Sequence, residues 1–141
     1  MMPDLQSSLL CDDVRQERNG KFILIGLFDA LIVPKFPAVF QRLCMVNRWC
    51  CGNGEFKQRT RIIKSDGLTV LVEGKEVPLK LPDSEATATC IEMFLNVQFE
   101  TPGTYWVEVM LDNQLKLRYP LKAGILRRQP PHGPGPAPGV S

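Results

Sequence analysis

A single histidine, His132, is all the imidazole this sequence contains, and it stands in a closing stretch, Gln129–Ser141, that is mostly proline and glycine. The body of the chain therefore cannot assemble a Ser/His/Asp relay or a Cys/His nucleophile pair. Net charge is also scarce. Seventeen basic residues face fifteen acidic ones for a formal +2, which gives no general attraction to nucleic acid or to an anionic membrane. No apolar run approaches the roughly 20 residues of a membrane helix. The opening MMPDLQSSLLCDDVRQE has neither the basic nor the apolar region of a signal peptide. No glycine-rich phosphate loop is present, since Gly52-Asn53-Gly54 reads as a turn. No stretch has the 3.6-residue periodicity of an amphipathic helix. These absences lead to the expectation of a non-enzymatic cytoplasmic protein with no cofactor, no metal and no membrane partner.

What the chain does contain is apolar content, 44% of its 141 residues, which is enough for one domain with a real core. Five cysteines, an odd number, suit reduced thiols rather than a disulfide framework. Cys44, Cys50 and Cys51 cluster in sequence, and Cys90 can approach them in space. Their spacing is not that of a zinc site. The reading is small buried hydrophobes, with Cys50 and Cys51 pointing to opposite faces of a strand. The acidic set Asp12, Asp13 and Glu17 lacks calcium-loop spacing and reads as a solvated turn.

The most legible stretch is Gly103 to Lys122. Tyr105, Val107, Val109 and Leu111 alternate on one side of Asp112-Asn113, and Leu115, Leu117, Tyr119 and Leu121 alternate on the other. A period of two puts each set on one strand face, and Asp-Asn tolerates the positive φ of a tight turn. This predicts a β-hairpin with that face buried. Phe22–Phe28, FILIGLF, is apolar at every position except Gly26. Such density predicts a strand covered on both sides, with Gly26 marking a bulge or a close backbone approach. Further strands are expected over 9–14, 39–51, 55–64, 68–73 and 86–101, about eight in all, separated by turn signals. In the 86–101 strand, Thr87 through Phe99 at odd positions form the inner face. Pro102-Gly103 joins that strand to the hairpin as a three-strand meander.

The expected fold is an all-β antiparallel β-sandwich, immunoglobulin-like. Residues 1–7 form a loose lead-in, 8–124 the sandwich, and 125–141 a disordered Pro/Gly-rich tail.

Three surfaces could carry function. Trp106 has outward parity on its strand, Phe94 has it on the preceding strand, and Met110 shares the Trp106 face. Together they would form an apolar patch for a protein partner or for self-association. The row Lys57, Arg59 and Arg61, on a strand read as an outer one, could touch phosphates. Alternating cations equally protect a strand from aggregation, so a nucleic-acid partner is the less favoured alternative. Trp49 or Trp106 could stack on a sugar or other small ligand.

The motif Cys11-Asp12-Asp13-Val14-Arg15, with Glu17, Gly20-Lys21, Leu24-Ile25-Gly26-Leu27-Phe28-Asp29 and Pro34-x-Phe36-Pro37, resembles an uncharacterised family of small bacterial proteins of unknown function. Pro102-Gly103-Thr104-Tyr105 is similar to that family and to many immunoglobulin-like sandwiches. The resemblance spans residues 8–124. It implies a bacterial or phage-associated cytoplasmic protein and a β-sandwich, and it supplies no catalytic residue.

Overall fold

The structure is a computed structural model and describes residues 1–127. The expected disordered tail lies outside the described residues except at its start, where Ile125 ends the last strand. Ten strands follow one another: β1 Asp4–Gln16, β2 Phe22–Phe28, β3 Ala30–Val33, β4 Ala38–Cys50, β5 Gly54–Ile63, β6 Val70–Glu73, β7 Val77–Leu81, β8 Thr87–Phe99, β9 Gly103–Leu111 and β10 Gln114–Ile125. Two of them, β3 and β7, were not expected. Proline hides both: Pro34 and Pro37 follow β3, and Pro78 lies within β7, at the rim of a sheet where a missing N–H is tolerated. β1 begins at Asp4, opposite Cys50, so the segment read as a lead-in is already paired.

The strands form two sheets. One runs β2-β1-β4-β8, and the other runs β3-β10-β9-β5-β6 with β7 also beside β5. Every pairing is antiparallel except β10 with β3, a departure from the all-antiparallel expectation. Between the sheets lie Leu10, Leu31, Leu43, Met45, Ile62, Val97, Phe99, Tyr105, Val107 and Leu121. Phe99 packs edge-on against Phe40 and Tyr105, with centroids 5.5 and 4.8 Å apart. The Ser8 and Tyr119 hydroxyls meet at 2.8 Å and tie one sheet to the other.

The 103–122 hairpin forms, with its turn at Asp112-Asn113. Asp112 and Asn113 both take positive φ, 47° and 65°. Tyr105, Val107, Val109 and Leu111 are all buried. Its second strand follows the alternation only from Tyr119 onward. A register shift between Leu115 and Leu117 breaks the pleat, and both leucines are exposed.

The meander does not form. β8 pairs with β4, whereas β9 pairs with β5 and β10, so the chain passes from one sheet to the other at Pro102. The Tyr105 hydroxyl donates to the Thr101 carbonyl at 2.7 Å and braces this corner.

The faces of β8 are also reversed along most of its length. Cys90, Glu92 and Phe94 point inward, while Ile91, Met93 and Leu95 are exposed. Val97 and Phe99 keep the expected direction. The switch falls at Asn96, whose φ is +54°. A left-handed residue takes the chain out of simple alternation, and a period-two count carried across it assigns every earlier residue to the wrong face.

β5 is not an outer strand but an interior one, with β9 on one side and β6 and β7 on the other. β2 is the opposite case. It was expected to be covered on both sides, yet it pairs only with β1 and forms the edge of the four-stranded sheet.

Candidate functional site

The basic row sits on the outward face of β5 with each cation already engaged. Lys57 pairs with Glu76 at 3.3 Å, and Arg59 pairs with Glu73 and Glu76 at 3.2 and 3.0 Å. Arg61 reaches the buried Glu108 carboxylate at 2.6 Å, which Arg118 also approaches at 3.3 Å. Glu76 is held below the usual carboxylate range by hydrogen bonds from Lys57 and Arg59. The acidic partners come from β6, the β6–β7 corner and β9, which only the tertiary structure brings alongside. A row neutralised in this way offers phosphates little net charge.

The aromatic patch does not assemble. Phe94 is 6% exposed and belongs to the core between the sheets, for the reason given by Asn96. Trp106 and Met110 remain half-buried on the outward face of the other sheet. The Arg118 guanidinium lies 4.8 Å from the Trp106 ring centroid, so one indole face is occupied by a cation. Trp49 is 0% exposed and cannot stack on a ligand.

Trp49 instead begins a buried polar chain. Its indole N–H donates to Gln58 Oε1 at 2.7 Å, and Gln58 Nε2 donates to Glu92 Oε1 at 3.1 Å. Thr60 Oγ1 donates to the same Glu92 oxygen at 2.8 Å. Burial raises the Glu92 carboxyl above its ordinary range, and the two donors partly oppose that rise. Gly74 lies directly over this carboxylate, where an added Cβ would collide with Glu92 Oε2. Two residues from Trp49 along β4, the Asn47 amide is fully buried with no hydrogen-bond partner among the described residues.

All five thiols are free. Cys11 and Cys44 are direct cross-strand neighbours, covered by Val14 and Leu24. Burial pushes Cys11 and Cys90 up to about 11. Cys50 and Cys51 do not point apart. Cys51 lies beyond the strand end with φ +64°, and its thiol donates to Cys50 Sγ at 3.3 Å. Among the described residues no group of His, Cys, Asp and Glu could hold a metal. Asp13 is engaged by Arg15 and Arg42 at 3.1 and 3.2 Å.

The unexpected feature is apolar surface. Phe22, Ile23, Ile25 and Leu27 on β2 are all exposed, Leu27 to 60%. At the other edge of the same sheet, Ile91, Met93 and Leu95 are exposed, Leu95 to 63%. The register sets Leu27, Cys11, Cys44 and Met93 in one cross-strand row, with Leu9, Val46 and Ile91 in the next. At Gly26 the close approach is that of a side chain and not of backbone. The φ of Gly26 is +70°, and the Asp12 carboxylate fills the space a side chain would take.

Residues 6–124 match the model of a family described as "Family of unknown function (DUF6941)". The chain belongs to this family. Comparison with curated proteins finds no match. Among solved structures, one similar chain is that of Pseudomonas fluorescens alkylpurine DNA glycosylase AlkC bound to DNA containing an abasic site analog. It is 11% identical, with a TM-score of 0.45, over 68% of this chain and 28% of that one. This family member thus spans under a third of the length of that enzyme chain.

Proposed function

We propose that this chain is a non-enzymatic protein-interaction module of immunoglobulin-like topology, engaging its partner through the four-stranded sheet. The observation that carries the reading is the uncovered apolar edge strand β2. Edge strands of monomeric proteins are ordinarily blunted by charge, proline or a covering segment. From Phe22 to Phe28 there is no charged residue and no proline, and four of the seven side chains are exposed apolar ones. Such an edge suits addition of a strand from another polypeptide, with main-chain bonds for affinity and side chains for specificity.

The immunoglobulin-like reading is supported by several features. β5, β9 and β10 lie side by side, β4 pairs with β8 in the facing sheet, and β3 runs parallel beside β10. The Tyr105 hydroxyl bonded four residues upstream matches a tyrosine corner. Five reduced cysteines are consistent with a cytoplasmic location.

A photo-crosslinking residue placed at Ile25, with a control at the isolated exposed Leu68, tests the interaction in cells that express the protein. The expected result is a defined protein adduct at position 25, absent at 68 and lost when Leu27→Lys is added. No protein adduct at 25 overturns the reading. The nucleic-acid alternative is disfavoured by the ion pairs that occupy Lys57, Arg59 and Arg61.

A further inference from the structure

Cys44 and Val46 belong to the outer face of the four-stranded sheet, because Leu43 and Met45, which alternate with them, point into the core between the sheets. Both are nevertheless closed off, at 0% and 3% exposure. Their cover is Val14 and Leu24, from the far half of the β1–β2 hairpin. β1 pairs with β4 only as far as Cys11 opposite Cys44. The pair Asp12–Gly26 is missing from the β1–β2 ladder, and Gly26 is left-handed. A straight hairpin would carry its tip, Asn19-Gly20-Lys21, beyond the Ala38 end of β4. Instead Asn19, Lys21 and Phe22 line one cleft together with Val46, Arg48 and Thr89. The hairpin therefore bends at Gly26 and folds back over the outer face of its own sheet.

The cleft that this bend creates has a volume of about 600 Å³, within the roughly 300–1,000 Å³ of small-molecule sites. Phe22, Leu24 and Val46 supply its apolar lining. Lys21 enters from the hairpin tip and Arg48 from β4, and no Asp or Glu lines it. Both cations are exposed, and neither has an ion-pair partner among the described residues. The tip is held in shape by its own backbone: Glu17 N–H donates to the Lys21 carbonyl at 2.8 Å, and Gly20 N–H donates to the Glu17 carbonyl at 2.9 Å. Asn19 Oδ1 accepts from Lys21 N–H at 3.0 Å, which leaves the Asn19 NH2 group to donate elsewhere, and Thr89 adds a hydroxyl. Two cations and two neutral donors beside an apolar lining suit an anionic head on an apolar body. A bare inorganic anion would leave the apolar lining unused, and an organic cation would be repelled.

We propose that this cleft binds a small amphipathic carboxylate, its apolar body seated on Phe22, Leu24 and Val46 and its carboxylate held by Lys21 and Arg48. The site goes beyond the interaction-module reading and does not depend on it, since it lies on the sheet face under the hairpin tip and not along the hydrogen-bonding edge of β2. An absent crosslink at position 25 leaves it standing.

Titration of the full chain with octanoate, followed by amide nitrogen–proton correlation spectra, reads both affinity and location. Octanoate is expected to shift the amides of Lys21, Phe22, Leu24, Arg48 and Thr89 with a Kd below about 1 mM. Uncharged 1-octanol and cationic octylammonium are each expected to bind at least about tenfold more weakly. Lys21→Gln and Arg48→Gln are each expected to weaken octanoate binding about threefold to tenfold. Phe22→Asp, which sets a carboxylate in the cleft at an exposed position, is expected to abolish it, and spectra unchanged away from the cleft show that each variant keeps its fold. Cleft amides that do not move with octanoate up to about 10 mM overturn the proposal. So does 1-octanol binding as tight as octanoate binding, or charge variants that bind octanoate as the wild type does.

Discussion

Glu92 is a carboxylate set between two sheets with no ion-pair partner among the described residues. Its Oε1 accepts from Thr60 and Gln58 at 2.8 and 3.1 Å, and the residue is 9% exposed. Two substitutions separate its roles as acceptor and as charge. Glu92→Gln keeps a carbonyl oxygen for both donors and removes the charge. Glu92→Ala removes the acceptor and leaves two buried donors unpaired, at about 1–3 kcal/mol each, or about 2–6 kcal/mol together. Relief of the buried charge is common to both variants, so the difference between them isolates the lost acceptor, and Ala is expected to be less stable than Gln by about 2–6 kcal/mol.

The pH dependence has a definite sign. Burial raises the folded-state carboxyl above its unfolded value of 4.5, so the folded state holds this proton more tightly. The stability that this contributes is fully present below the unfolded value and is lost as pH rises through the folded value. Wild type minus Glu92→Gln should therefore become less favourable as pH rises above about 4.5. Urea titrations of the three proteins at several pH values read this directly, because taking the difference cancels the other titrating groups. Equal stability of Gln and Ala, or a wild-type-to-Gln difference that does not change with pH, refutes the account of this network.

Asn47→Leu removes a buried amide that has no partner among the described residues, and it is expected to stabilise by about 1–3 kcal/mol in the same urea assay; a loss would mean that the amide is satisfied. Gly26→Ala is expected to lower the melting temperature and speed amide exchange in β1 and β2, because a side chain there meets Asp12 in a left-handed conformation. Thiol labelling at neutral pH should modify exposed Cys51 first and leave buried Cys11, Cys44 and Cys90 slow until the protein unfolds. Because Cys11 and Cys90 sit near 11 when folded against 9.0 when not, stability should fall as pH rises from about 9 to about 11; a flat profile contradicts their burial. The wild-type chain is expected to show no oligonucleotide binding at low salt in a filter-binding assay, since the charge of Lys57, Arg59 and Arg61 is already neutralised; binding that is lost when these residues are replaced by Gln would revive the nucleic-acid alternative.

Local pattern made some of this molecule legible. The 103–122 hairpin could be read because its alternation and its Asp-Asn turn agree. The two-sheet all-β class could be read because turn signals recur and no helical period competes. The candidate surface was mostly not legible. Phe94 was read as outward because a parity count cannot register one left-handed residue at Asn96 further along the strand. The cations of β5 looked available because their carboxylates arrive from β6, the β6–β7 corner and β9. The apolar density of FILIGLF points to burial, although an exposed edge strand looks the same in composition.

By itself, then, the sequence determined the β character, the first strand of the closing hairpin and the lack of any body imidazole, all properties of residues near one another in the chain. Tertiary structure alone decided that β8 and β9 lie in different sheets, that β5 is interior, that Glu92 is buried on the donors of Gln58 and Thr60, and that β2 is an open edge. The physical reason is that strand order is set by long-range pairing. Which strand ends a sheet depends on the neighbours it lacks, and no residue within Phe22–Phe28 records that.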